Sequence, residues 1–292
     1  MKGNKRIGGS TEWEKKFIEN FNRLCNRHQS WQVWQDFIDM SACAIANSVD
    51  RRTDVWKARE DSYMKTVKRY SKEELDLISE LLSITALALE ENSAQDFLGK
   101  LYMQFNLENK WYGQFFTPWH IAELMAKMLI GDDLKEKIVS EGYVSVNDPC
   151  CGAGCMLIAF ANICKDDMNV NYQKDVLFVG QDVDLIVAKM CYIQISLLGC
   201  PGYIVIGNSL TEPIIGTDTN PIVTNDNDIW FTPLWFIGLW QFRLSKKMNE
   251  SVSESNEVIK VTQTPSKNKP HKPITNNFQK KKFSLLDFFT KR

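Results

Sequence analysis

Between residues 10 and 98 the chain contains neither glycine nor proline. Strand-and-turn architectures need such residues at their corners, so their absence excludes an all-β beginning and leaves helices. There are only three histidines, and the eight cysteines include no Cys-x-x-Cys pair, which argues against a zinc site; no metal is expected. Cys150, Cys151 and Cys155 crowd one turn, while Cys25, Cys43, Cys164, Cys191 and Cys200 fall in segments of helical pattern or at their ends. Scattered in this way, they read as reduced thiols of a cytoplasmic protein and not as a disulfide framework. No uncharged apolar run is long enough to span a bilayer, and Met1–Arg6 has no apolar stretch behind it to make a signal peptide. No membrane contact is expected. Basic residues are also scarce where they would matter: residues 1–245 carry 24 Lys or Arg against 32 Asp or Glu. A body with surplus acid is poorly suited to neutralising DNA phosphates by itself. Arg51, Arg52, Lys65, Lys68 and Arg69 read as a solvated helix face.

What is present begins with helices. Trp13, Phe17, Phe21 and Leu24 recur at helical spacing, as do Trp31, Trp34 and Phe37, and these aromatic residues read as core. Ser71 with Glu74 has the form of a capping box, opening a helix through Leu75, Ile78, Leu81, Leu82 and Leu89. Further on, the apolar run Tyr143-Val144-Ser145-Val146-Asn147 leads into Asp148-Pro149-Cys150-Cys151-Gly152-Ala153-Gly154. This is a buried strand ending in an acid, then a tight turn of small residues, then a helix starting near Gly154. Gly152 and Gly154 let the backbone approach a ligand, and the helix N-terminus offers free N–H groups beside it. The G-x-G-x-x-G spacing of a dinucleotide fingerprint is not met. A second strand, Asp175–Asp182, also ends in an acid, where a carboxylate can take ribose hydroxyls, and a helix over 184–198 follows. A third strand starts at Tyr203 and runs toward Gly207-Asn208-Ser209-Leu210. Upstream, Gly113-Gln114-Phe115-Phe116-Thr117-Pro118 precedes an apolar helix, with Thr117 as its N-cap and Pro118 in its first turn.

The Asp-Pro-Cys-Cys-Gly-Ala-Gly loop resembles the S-adenosylmethionine loop of DNA adenine-N6 methyltransferases. Gly-Gln-Phe-Phe-Thr-Pro is similar to the other half of the cofactor pocket in the modification subunits of type I restriction systems, and Asp96–Tyr102 to the segment before it. The resemblance covers about residues 96 to 212. It implies an α/β protein with a helical N-terminal domain (1–108), a partial Rossmann-like S-adenosylmethionine-dependent methyltransferase domain (109–245) and a tail (246–292). It also implies a cofactor site of Phe116, Thr117, Pro118, Asp148, Pro149, Cys150, Gly152, Gly154 and Asp182, with Asn208 or Ser209 at the adenine edge. DNA is the implied substrate, and a specificity subunit or another methyltransferase subunit is an implied partner.

The chain departs from the family in its second half. The family's fourth strand ends in Asn-Pro-Pro-Phe or Asn-Pro-Pro-Tyr, which holds a flipped adenine, and no Asn-Pro-Pro occurs here. The nearest candidates are Asn220 and Pro221, in a Gly216–Pro221 stretch that reads as loop. Only one apolar segment, Ile229–Trp240, remains after it. Two functions are therefore open: a methyltransferase, or a non-catalytic cofactor-binding protein acting as regulator or assembly partner at DNA. The tail is basic, with 11 Lys or Arg against 4 Asp or Glu, and its composition predicts disorder. It ends in Lys282-Phe283-Ser284-Leu285-Leu286-Asp287-Phe288-Phe289, which resembles sliding-clamp-binding peptides, with Leu285, Phe288 and Phe289 as anchors.

Overall fold

The computed structural model describes residues 11–107 and 116–245. The tail, with Leu285, Phe288 and Phe289, lies outside the described residues. The first half is helical, as its lack of glycine and proline dictates: α1 (Glu12–Cys25), α2 (Ser30–Val49), α3 (Thr53–Val67), α4 (Lys72–Glu91) and α5 (Phe97–Gln104). Ser71 and Glu74 form the reciprocal capping box at the start of α4. The aromatic residues interlock: the Phe17 ring lies 5.5 Å from Phe37 and 5.8 Å from Phe97, both edge-on, and 6.0 Å from Trp34. Trp31 is the exception, 43% exposed on the outer side of α2.

The second half alternates helix and strand: α6 (Trp119–Leu129), α7 (Leu134–Glu141), β1 (Val144–Asp148), α8 (Cys155–Asp166), α9 (Tyr172–Asp175), β2 (Val176–Asp182), α10 (Leu185–Leu197) and β3 (Gly202–Ile206). Three short strands follow: β4 (Ile215–Thr217), β5 (Asn220–Ile222) and β6 (Ile229–Phe231). The main sheet has the order β1-β2-β3-β6, with the first three parallel and β6 antiparallel to β3. Because β1, β2 and β3 follow one another in one direction, right-handed crossovers put α8 and α10 on the same face. That face shares one continuous core with the helical bundle, from Phe17 and Trp34 through Ile158 and Tyr192 to Phe178 and Ile204. The other face is covered by Trp235, Trp240 and Leu244, packed on Tyr143, Leu177, Val179 and Tyr203. This is the partial Rossmann-like sheet the sequence implied.

Three local expectations change. The N-cap of α6 is Pro118 and not Thr117, and it makes no side-chain cap. The third strand stops at Ile206. Residues 216–221 are not loop: β4 and β5 form a hairpin around Asp218-Thr219, with Thr217 opposite Asn220 and Gly216 opposite Pro221. Pro221 pairs there at the margin of a two-stranded ribbon, where a missing N–H is tolerated.

The basic residues of the bundle are not all a solvated face. Asp50 is fully buried between Arg52 (2.6 Å) and Arg59 (2.8 Å). Burial alone would raise its pKa, but the two guanidiniums outweigh burial and hold it below the ordinary carboxylate range. Both arginines also donate to the Ile229 carbonyl, at 3.1 and 3.2 Å, and Arg59 lies over the Trp230 ring. The bundle thereby holds β6 in place. Arg69 is paired with Asp36 at 2.7 Å.

Candidate cofactor site

The two acidic strand ends meet at the carboxyl edge of the sheet. β1 and β2 are in register from Val144 opposite Val176 to Asp148 opposite Gly180, so the loop after Asp148 lies beside Asp182. The Gly152 amide donates to Asp182 Oδ2 at 2.9 Å, and the Asp184 amide donates to Oδ1 at 2.9 Å. The Cys151 amide donates to the Gln181 carbonyl at 3.0 Å, and the Gly154 amide closes the turn on the Cys151 carbonyl at 2.8 Å. Asp148 is buried and accepts from the Cys150 amide at 3.1 Å. Burial pushes its pKa up to about 6; the Cys150 N–H opposes this and the Asp182 charge adds to it. Asp182 is also raised, mainly by burial and against the pull of the Asp184 and Gly152 amides.

Both loop glycines are required by geometry. Gly154, at φ +97°, caps α8, and a Cβ there would stand 2.8 Å from Cys191 Sγ. Gly152 has φ +54°, and a Cβ there would touch the Phe116 ring at 3.4 Å. Phe116 therefore lies against the loop, with its ring 5.6 Å from Tyr102, and the Cys155 thiol donates to the Thr117 carbonyl at 3.4 Å. The structure thus brings Phe116, Thr117, Gly152, Gly154 and Asp182 together, with Asp148, Pro149 and Cys150 in the same loop. Pro118 is exposed at the start of α6.

Asn208 and Ser209 follow β3, one strand away. The Gly207 amide donates to the Asp182 carbonyl at 2.9 Å, and Asn208 is exposed, with its side chain accepting from the Leu210 amide at 2.9 Å. Asn220 and Pro221 are not brought to the cradle. The tip of their hairpin sits where the Tyr143 hydroxyl meets Asp218 at 3.4 Å, at the start of β1 and opposite to Asp148. Asn220 is exposed, and its own amide donates to Thr217 Oγ1 at 3.0 Å.

One supporting residue escaped the sequence. Gln194, fully buried on α10, donates to the Ala153 carbonyl and to Asp96 Oδ1, each at 2.8 Å, and accepts from the Leu98 amide at 3.0 Å. Asp96 caps α5 through the Gly99 amide at 2.9 Å. One amide thus ties the cofactor loop to the helical bundle. Its signal was a lone carboxamide in the otherwise mostly apolar run Leu185–Leu198. Among the described residues no His, Cys, Asp or Glu cluster could hold a metal, and no helix is long and apolar enough to cross a membrane.

In solved structures the chain is similar to the methyltransferase subunit of a type I restriction-modification system from Streptococcus thermophilus. The identity is 14%, over 72% of this chain and 61% of that one, with a TM-score of 0.37. It is also similar to a chain described as a class I S-adenosylmethionine-dependent methyltransferase from Listeria monocytogenes, at 15% identity over 70% of this chain and 57% of that one, TM-score 0.31. These overlays are too loose to carry an argument, and the chain spans less than two thirds of either structure. No curated protein matches the sequence. The sequence pattern of the family described as N-6 DNA Methylase matches residues 93–261, which hold the cradle, Phe116–Pro118 and the Asp96–Gln194 support. The chain belongs to the N-6 DNA methylase family, whose cofactor is S-adenosylmethionine.

Proposed function

We propose that the chain binds S-adenosylmethionine in the loop between β1 and α8 and serves adenine-N6 methylation of DNA as a protein of the modification-subunit type. The observation that carries this reading is the closure of Phe116 and Asp182 on the Gly152 backbone. Asp182 accepts the Gly152 and Asp184 N–H groups on different oxygens, and a carboxylate, with about four acceptor positions, has room left for a ribose hydroxyl. No basic side chain pairs with Asp148 or Asp182 among the described residues, so the two carboxyl groups suit a cationic ligand. Phe116 would cover the ligand, while Pro149, Cys150 and Gly154 shape the turn around it. Asn208 or Ser209, in the loop after β3, would meet its base. When bound, the cofactor supplies an activated methyl group on a sulfonium. The chain's part is to position it, because such transfer depends chiefly on orientation.

Calorimetry tests the site. Asp182→Ala should weaken binding by about 1–3 kcal/mol through loss of a charged acceptor. If the wild-type chain fails to bind at millimolar cofactor, the proposal falls. A second reading, a cofactor-binding protein without turnover, is favoured by the position of Asn220 at the far end of β1. Methyl transfer from labelled cofactor to unmethylated DNA separates the two. In either case the target sequence would be read by a partner such as a specificity subunit.

A further inference from the structure

Four free thiols gather at the cofactor loop: Cys150 and Cys151 in the turn, Cys155 at the start of α8, and Cys191 on α10. Cys150 is exposed, whereas Cys151 and Cys191 are only 4% and 0% exposed. The two buried thiols meet, Cys151 being hydrogen-bonded through its side chain to that of Cys191. Their backbones are close as well. The Gly154 amide donates to the Cys151 carbonyl, and a Cβ at Gly154 would stand 3.4 Å from both the Cα and the Cβ of Cys191. Such an approach suits a disulfide, whose Cα atoms lie within about 7 Å of each other. On its other side Cys151 is confined by β2, since a Cβ at Gly180 would stand 3.1 Å from its Sγ. Cys155 is engaged elsewhere, with the Thr117 carbonyl.

We infer that Cys151 and Cys191 form a redox switch: hydrogen peroxide joins them in a disulfide that draws the cofactor loop onto α10 and weakens cofactor binding. The effect on binding rests on the cofactor reading above, whereas the bond does not. Cys151 reacts first, because it adjoins the exposed Cys150, and its sulfur takes one oxygen from the peroxide to give a sulfenic acid and one water. Cys191 then attacks that sulfur, the S–S bond forms, and the oxygen leaves as a second water. Two S–H bonds are lost, and their two electrons and two hydrogens reduce the peroxide. At rest the pair stays reduced. The hydrogen bond to Cys191 and burial both raise the pKa of the Cys151 thiol, and burial raises that of Cys191, so neither ionises until the loop opens. The direction of the effect follows from packing. A disulfide holds its sulfurs about 2.05 Å apart, much closer than two thiols in contact, so one partner must move. α10 is buried at every position from Ile186 to Ile195, and the loop yields instead. Cys151 immediately precedes Gly152, whose amide holds Asp182, so its displacement disturbs that contact.

Mass spectrometry of the full chain, treated with hydrogen peroxide and digested without reductant, reads the bond. The peptides holding Cys151 and Cys191 should be recovered joined, with the loss of two hydrogens, and Cys191→Ala should prevent the link. Calorimetry on the same samples should show S-adenosylmethionine affinity at least tenfold lower in the oxidised wild type and regained with dithiothreitol. Cys191→Ala should lose far less. Recovery of Cys151 and Cys191 as free thiols, or of Cys151 linked to Cys150, overturns the inference. An equal loss of affinity in Cys191→Ala also overturns it, because the exposed Cys150 is then the sensor, and a bond that leaves affinity unchanged removes the switch. If the reduced chain binds no cofactor, it is the cofactor reading that fails, and the mass measurement still decides the bond.

Discussion

Gln194 allows a sharp test of how the bundle and the cofactor loop are joined. Replacing it with leucine keeps the volume near that of the amide but removes every polar contact. The Ala153 carbonyl and the Leu98 amide lose their Gln194 partner inside the core, and Asp96 is left with the Gly99 amide alone. A buried backbone group without a partner costs about 1–3 kcal/mol, so two such groups give about 4 kcal/mol as a central value. For a chain of this size that lowers Tm by roughly 8–16 °C. Asp96, whose pKa burial already raises against the pull of Gln194, should also take up a proton more readily. Urea denaturation of wild type and Gln194→Leu, followed by circular dichroism, measures the difference, and calorimetry should show weaker cofactor binding because the Ala153 carbonyl no longer anchors the loop. A loss below about 0.5 kcal/mol would refute the reasoning, since the three contacts would then be no better than those made with water.

Asp148 gives a pH prediction. Its carboxyl titrates near 3.8 when unfolded and at about 6 when folded, so the folded state holds the proton more tightly. Its contribution is complete below pH 4 and is lost as pH rises through 6, and Asp148→Asn should flatten the stability profile across that window in denaturant melts. Gly154→Ala forces a left-handed alanine against Cys191 and should cost about 1–3 kcal/mol from conformation alone, with Cys191→Ala recovering only the part due to contact. Methyl transfer to DNA by the isolated chain should be absent or very weak, and Asn220→Ala should leave any residual rate unchanged. A rate abolished by that substitution would make Asn220 the base-holding residue after all.

The parts of the fold that could be seen in the sequence are those written in a single local pattern. β1, β2 and α10 are bounded by residues with a fixed conformational role: Asp148 and Asp182 at strand ends, Asp184 as an N-cap accepting from Ile186 and Val187. The parts that escaped depend on distant partners. β6 lies in the mostly apolar segment Ile229–Trp240, and it is a strand by virtue of distant partners: Tyr203 and Val205 opposite Phe231 and Ile229 in the sheet, and Arg52 and Arg59 on the Ile229 carbonyl. The β4–β5 hairpin is three residues per strand and contains a proline, too short and too irregular for an alternating pattern. Within the site, the glycines and acids were legible because each answers a local demand, whereas Gln194 acts on residues 41 and 98 positions away.

The clamp of Arg52 and Arg59 on Ile229 also sets a timetable. The two ends of that contact are 177 and 170 positions apart, so during synthesis the bundle emerges long before the strand it will hold. α6 to α10 and the parallel strands β1, β2 and β3 are made in between. The bundle α1–α5 is thus synthesised in full before β6, the last of the described strands, can join β3 against it. Loss of either arginine should therefore slow the last step of folding more than it disturbs the helices already formed.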